Sequence, residues 1–249
     1  MKRLFLIAIL VMGFSGLVAQ IVLLRELLIV FSGNELCIGI ILANWLILEA
    51  FGSYFLGRKA EKSANRLETF SIITVLFSLS LPTTILLTRL LKRGIGISIG
   101  ENIGFMPMFY SSFLILLPVS VLHGALFTFS CRIYSMYSVR DESSAGRVYA
   151  YETVGAIIGG IVCTYLLIPY LNSFQASIWL AVLNLLVCLV LIAPYWKTGI
   201  FQKAILVILA VLVLSCGVLV VAGQADRLHD YSVKAQWKNR NVVHYQSSR

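Results

Sequence analysis

Glu49 is the residue whose type and setting most invite chemistry. It interrupts an otherwise charge-free run over 36–57, one turn after Trp45, with Asn44 before it and Gly52-Ser53 after it. A carboxyl group in such a run is either neutral or paired, because taking a charge out of water is expensive. Two readings stay open: a proton-relay or substrate-ammonium contact, or a structural pair with a residue such as Gln20 or His123. Glu26 follows Arg25 directly, and adjacent helical residues do not face each other. Each therefore pairs elsewhere or anchors the chain at the headgroups. Gln20, deeper in the same segment, suits a hydrogen bond to a neighbouring helix. His123 has no second ligand close in sequence, so it reads as a satisfied histidine inside a bundle and not as a metal ligand. Glu49, Glu26, Gln20, Asn44 and His123 are thus the candidate substrate contacts. No residue is read as catalytic and none as metal-binding.

Other polar residues have structural explanations at this stage. Glu152 falls at the expected start of a helix, where the helix dipole favours an anion. Glu35, after Gly33-Asn34, belongs to a loop. Gly155 and Gly159 form a Gly-x-x-x-Gly pair, followed by Gly160, which permits close helix approach. There is no Walker A loop, GxSxG, HExxH or GxGxxG sequence, so this chain alone is expected to catalyse nothing and to hold no cofactor.

The solvent these residues need is lipid. Of 249 residues 59% are hydrophobic and 12% charged, about half the charged share of an ordinary globular domain, and the mean hydropathy is +0.90. The net charge of +9 fits cytoplasmic loops facing anionic lipid. No basic run with interleaved aromatics suggests a nucleic-acid partner. The five cysteines, Cys37, Cys131, Cys163, Cys188 and Cys216, show no CxxC spacing, and three lie in apolar runs where a thiol acts as a small hydrophobe.

A bilayer core takes about 20 apolar residues of helix. Runs of that kind lie at 4–24 (continuing to about Phe31), 36–57, 69–88, 102–131, 153–196 and 204–225. The run from Asn102 to Cys131 has room for a loop or an interfacial piece. The run from Thr153 to Trp196 is about twice one span, and Pro169, Asn172 and Ser173 supply turn chemistry at its middle. The first run continues past Ala19 to Leu24 and is read as a retained helix rather than a cleaved signal. The expected fold is all-α and integral to the membrane: a polytopic, transporter-like bundle of about seven transmembrane helices over 1–225.

Lys2, Arg3, Arg58, Lys59, Lys62, Arg66, Arg132, Arg140, Arg147, Lys197 and Lys203 gather on one side. The opposite loops are expected to hold only Arg89, Lys92 and Arg93, plus the tail. The basic side should be cytoplasmic, with the N-terminus inside, in a cell inner (plasma) membrane. The polar tail over 226–249 changes character abruptly. Asn241 to Tyr245 has strand-like composition, and a lone strand needs partners. The tail therefore reads as the truncated opening of a soluble domain.

Three stretches, taken in order, resemble a known family. They are Gly13-Phe-Ser-Gly-Leu-Val-Ala-Gln through Arg25-Glu-Leu to Phe31-Ser-Gly-Asn-Glu-Leu; Trp45-Leu-Ile-Leu-Glu-Ala-Phe-Gly-Ser-Tyr-Phe-Leu-Gly-Arg-Lys-Ala; and Gly146-Arg-Val-Tyr-Ala-Tyr-Glu-Thr-Val-Gly-Ala-Ile-Ile-Gly-Gly, running to Ile168-Pro169. They look like the membrane region of bacterial spermidine synthase-like fused proteins, over essentially residues 1–225. The tail, Gln236-Trp-Lys to Ser247-Ser248-Arg249, is similar to the first strand of the aminopropyltransferase domain. The resemblance implies that a missing or separate domain transfers an aminopropyl group from decarboxylated S-adenosylmethionine to a diamine. None of that domain's functional residues falls in this chain. Gly52-Ser-Tyr-Phe-Leu-Gly-Arg-Lys is also similar to the loop motif of major facilitator transporters, without its usual acidic residue. The alternative function is therefore a small transporter of a cationic solute. The charge bias sends the tail outside, whereas the implied cofactor is made in the cytoplasm.

Overall fold

The computed structural model describes residues 2–31, 33, 35–62, 65–95, 104–137, 144–195 and 200–236. Seven helices are long and apolar enough to cross a membrane: α1 (Lys2–Phe31), α2 (Glu35–Lys62), α3 (Arg66–Ile95), α4 (Phe105–Met136), α5 (Ser144–Tyr170), α6 (Ser173–Ile192) and α7 (Ile200–Val221). An eighth, α8 (Gln224–Gln236), follows a turn at Gly223, whose φ of 64° is left-handed. No strand occurs among the described residues. An apolar chain forms helices in a membrane because each backbone N–H then bonds within its own segment. At 1.5 Å per residue, helices of this size run to about 30–48 Å, enough to span the hydrocarbon core with some tilt.

Several boundaries differ from the sequence reading. Of the stretch from Asn102 to Cys131, read as having room for a loop, residues 105–131 belong to one unbroken helix, α4, of 32 residues, and residues 102–103 lie outside the described residues. Helix α5 begins at Ser144, well before Thr153, because the mixed segment 144–152, with Arg147 and Glu152, continues the helix beyond its charge-free run. Arg89 is not in a loop: it lies within α3 and is 1% exposed. The chain does break where turn chemistry places it. Leu171 is extended (φ −121°, ψ 144°), and Asn172 caps α6 in a reciprocal capping box with Gln175. Ahead of that break α5 widens into a π-helical turn at Cys163–Leu167, next to Pro169, which has no N–H to continue the ladder.

Helix α1 is the hub of the core. Its buried residues, including Phe5, Ile9, Met12, Gly16, Ala19, Leu23 and Leu27, occupy most of its circumference, and α3, α4, α5 and α6 pack around it. Helix α2 lies along α4, and α5 along α1. These two contacts are counterparts, residue for residue. Gly13 of α1 admits the Glu152 backbone of α5, and Gly124 of α4 admits the Glu49 backbone of α2. Gly155 sits on the Leu10 carbonyl and Gly52 on the Val121 carbonyl; Gly160 meets the Leu17 side chain and Gly57 that of Thr128. Each of these contacts has one partner in α1–α3 and one in α4–α6, so the two three-helix units match as an internal repeat. Three spans per unit make the second unit inverted relative to the first. Helix α7 stands outside the repeat and packs on α6.

Helix α8 closes one end of the bundle. Arg89 donates from Nε and Nη2 to both carboxylate oxygens of Glu26, at 2.8 and 2.7 Å. Its Nη1 reaches Ser232 Oγ of α8 at 2.7 Å and His229 Nδ1 at 3.1 Å. Asp226 accepts from Asn172 and Gln175 at the start of α6, at 2.7 and 2.8 Å. The first half of the expected soluble tail is therefore a helix docked on the bundle, and the strand-like stretch Asn241 to Tyr245 lies outside the described residues.

Candidate functional site

Glycine contacts bring three ionisable side chains together where the two units meet. Glu49 reaches in from α2, His123 from α4 and Glu152 from α5. His123 Nδ1 lies 2.5 Å from Glu49 Oε1, so a single proton is held between ring and carboxylate. On the other edge of the ring, Nε2 faces Glu152 Oε1 at 3.9 Å. Nε2 is fully enclosed and completes no hydrogen bond. The ring fits where it does because Gly16 of α1 has no side chain; a Cβ there would overlap the imidazole. Trp45 and Phe77 flank it, with ring centroids 6.3 and 5.8 Å away.

The cluster lines a cleft of about 470 Å³. Gly13, Gly16 and Gln20 of α1 and His123 and Phe127 of α4 form its floor. Glu49 and Ser53 of α2 stand on one wall, with Tyr149, Glu152 and Thr153 of α5 on the other. The histidine side chain is 7% exposed, Glu152 15% and Glu49 25%. The imidazole is thus the deepest group, and both carboxylates are within reach from the cleft. In such a setting charges interact far more strongly than in water, and intramembrane ionisable groups ordinarily face one another or a water-filled cavity.

Glu49 and Glu152 are counterparts in the repeat, each followed three residues later by the glycine that packs its helix, Gly52 or Gly155. His123 has no ionisable counterpart. Its equivalent on α1 is Met12, one residue before Gly13 as His123 is one before Gly124. One imidazole therefore serves two related carboxylates. Because these approach opposite edges of the ring, the three groups do not converge on a point as metal ligands do. Among the described residues no cluster of three His, Cys, Asp or Glu is arranged to hold a metal ion.

Of the residues singled out in the sequence, Glu49, Gln20 and His123 line this cleft. Asn44 and Glu26 do not. Asn44 is fully buried and donates to the Phe109 carbonyl and to Ser112 Oγ, both at 2.9 Å, tying α2 to the first turns of α4. Glu26 is bound by Arg89 at the end of the bundle and is buried, not an interfacial anchor. Gly155 and Gly159 pack on the backbone of Leu10 and Phe14. Glu152, which the sequence places only at a helix start, sits in the third turn of α5 and faces the cleft. The signal that finds it is the spacing shared by Glu49-x-x-Gly52-x-x-x-x-Gly57 and Glu152-x-x-Gly155-x-x-x-x-Gly160. No protein-family model, curated protein or solved structure matches the chain.

Proposed function

We propose that this chain is the transporter-like membrane domain of a bacterial spermidine synthase-like protein, and that its cleft binds a cationic amine of the polyamine class. The protein would sit in the inner membrane with its N-terminus in the cytoplasm. The observation that carries the reading is the pair of carboxylates flanking His123 in a cleft within the bundle. An aliphatic ammonium needs an anionic partner where water is scarce, and two carboxylates beside the Trp45 and Phe127 rings offer ionic and apolar contacts together. The resemblance of residues 1–225 to the membrane region of the fused synthases supplies the polyamine class. Decarboxylated S-adenosylmethionine belongs, on this reading, to a partner domain that this chain does not include. Free-standing uptake of a cationic solute would use the same cleft.

The test is equilibrium binding of radiolabelled putrescine to the purified protein in lipid nanodiscs. Saturable binding that falls at least tenfold in Glu49→Gln, with the variant eluting as a single folded species, is the expected result. Equal binding by wild type and Glu49→Gln would remove the cleft from the function.

A further inference from the structure

We infer that the Glu49–His123–Glu152 cluster is an exchange site, at which the entry of a cationic amine expels a proton. The inference rests on the amine-binding reading above and adds to it the ion that moves in the opposite direction.

Charge balance sets the number of protons the cluster holds. Net charge inside a bilayer is costly, so the cluster is most stable when its charges cancel. Without a ligand, two carboxylates and one imidazole cancel when they share two protons: one carboxylate paired with the imidazolium, the other carboxyl protonated. An ammonium seated among them adds one positive charge. Neutrality then requires one proton fewer, and that proton leaves as the carboxyl becomes the carboxylate that pairs with the ammonium. No covalent bond other than O–H changes, and the proton departs to water in the cleft.

Geometry supplies the route and the partition of roles. Nδ1 is committed to Glu49, whereas the buried Nε2, with the Met12 backbone nearby, looks toward Glu152 across 3.9 Å. That gap is too wide for a direct hydrogen bond. It leaves Glu152 able to hold a proton when the site is empty and to face an ammonium when it is full. Among the described residues, the charged groups that act on the ring are Glu49 and Glu152. Helix α2 presents Glu49, and α5 presents Glu152 with the Tyr149 phenol at the cleft rim; α1 presents Gly16 and the Met12 backbone, and α3 presents Phe77. On α4 itself the next ionisable group is Cys131, two turns on and on the Glu152 side. Among the described residues no lysine or arginine lines the cleft. Protons are thus the internal counter-charge for the two carboxylates.

The measurement is made on the full chain in nanodiscs. Putrescine is titrated in weakly buffered solution between about pH 6 and 8, where aliphatic amines stay fully charged. Binding is followed with radiolabel and released protons with a pH indicator. We expect at least one proton released per putrescine bound, and an apparent Kd that falls at least about tenfold for each unit rise in pH, as linkage requires. Glu152→Gln keeps the shape but removes the carboxylate that pairs with the ammonium and leaves only the proton held between His123 and Glu49 to release, so it should weaken putrescine binding at least about tenfold. Putrescine binding with no proton release and a flat pH dependence would overturn the exchange and leave the amine site standing. Absence of binding at every pH would overturn both.

Discussion

Glu49 and Glu152 stand beside one imidazole because glycines let their helices come close. At Gly13 and Gly124 a Cβ would meet a backbone carbonyl, that of Glu152 or Glu49, and a carbonyl locked in a helix cannot yield as a side chain tip does. Gly124→Ala should therefore cost about 1–3 kcal/mol through overpacking and displace Glu49 from His123, weakening amine binding as well. Gly39, on the same helix as Glu49 but facing open space, provides the contrast: Gly39→Ala should be neutral or add up to about 1 kcal/mol through helix propensity. Thermal unfolding of both variants in one detergent checks the pair. The sequence made the Glu49–His123 partnership legible as an alternative, because both interrupt apolar runs. It hid Glu152, since hydropathy alone starts that helix at Thr153, and it hid Arg89, whose partners come from helices distant in sequence. A charge whose partner is far along the chain looks like a loop residue until the fold is known.

At the scale of elements, α8 is a plug whose docking depends on the protonation of His229. Arg89 can only donate, so the 3.1 Å contact to His229 Nδ1 requires that nitrogen to be unprotonated. Burial pushes the His229 pKa below its ordinary 6.5, and the adjacent Arg89 guanidinium pushes it further, against the opposing pull of Glu26, Asp230 and Asp226. A histidine with a depressed folded pKa binds protons more readily when released. Its contribution to docking is therefore complete above about pH 6.5 and is lost as pH falls through the folded value. Amide hydrogen exchange across Gln224–Gln236 should accelerate as pH is lowered from about 7 to 5, after correction for the intrinsic rate, and His229→Gln should flatten that dependence. Equal corrected rates in both proteins would separate docking from His229. In the sequence only the abrupt change of composition near Gln224 was visible. The docked helix depends on Glu26 of α1, Arg89 of α3 and Asn172 at the cap of α6, three places far apart in sequence.

At the scale of the whole molecule, seven spans and the break at Leu171-Asn172 were legible, because hydropathy and turn chemistry are local. The inverted repeat was not, since its two halves share only Glu-x-x-Gly-x-x-x-x-Gly and the packing glycines Gly13 and Gly124. It becomes visible when the contacts are set side by side. Its consequence is that the two carboxylates are equivalent residues lining one cleft at the junction of the units. The most direct test of the account is an experimental structure of the protein in nanodiscs with saturating putrescine. The account predicts density for the amine between the Glu49 and Glu152 carboxylates, beside the His123 ring. A cleft filled by a lipid acyl chain at saturating putrescine, with the amine elsewhere or absent, would contradict it.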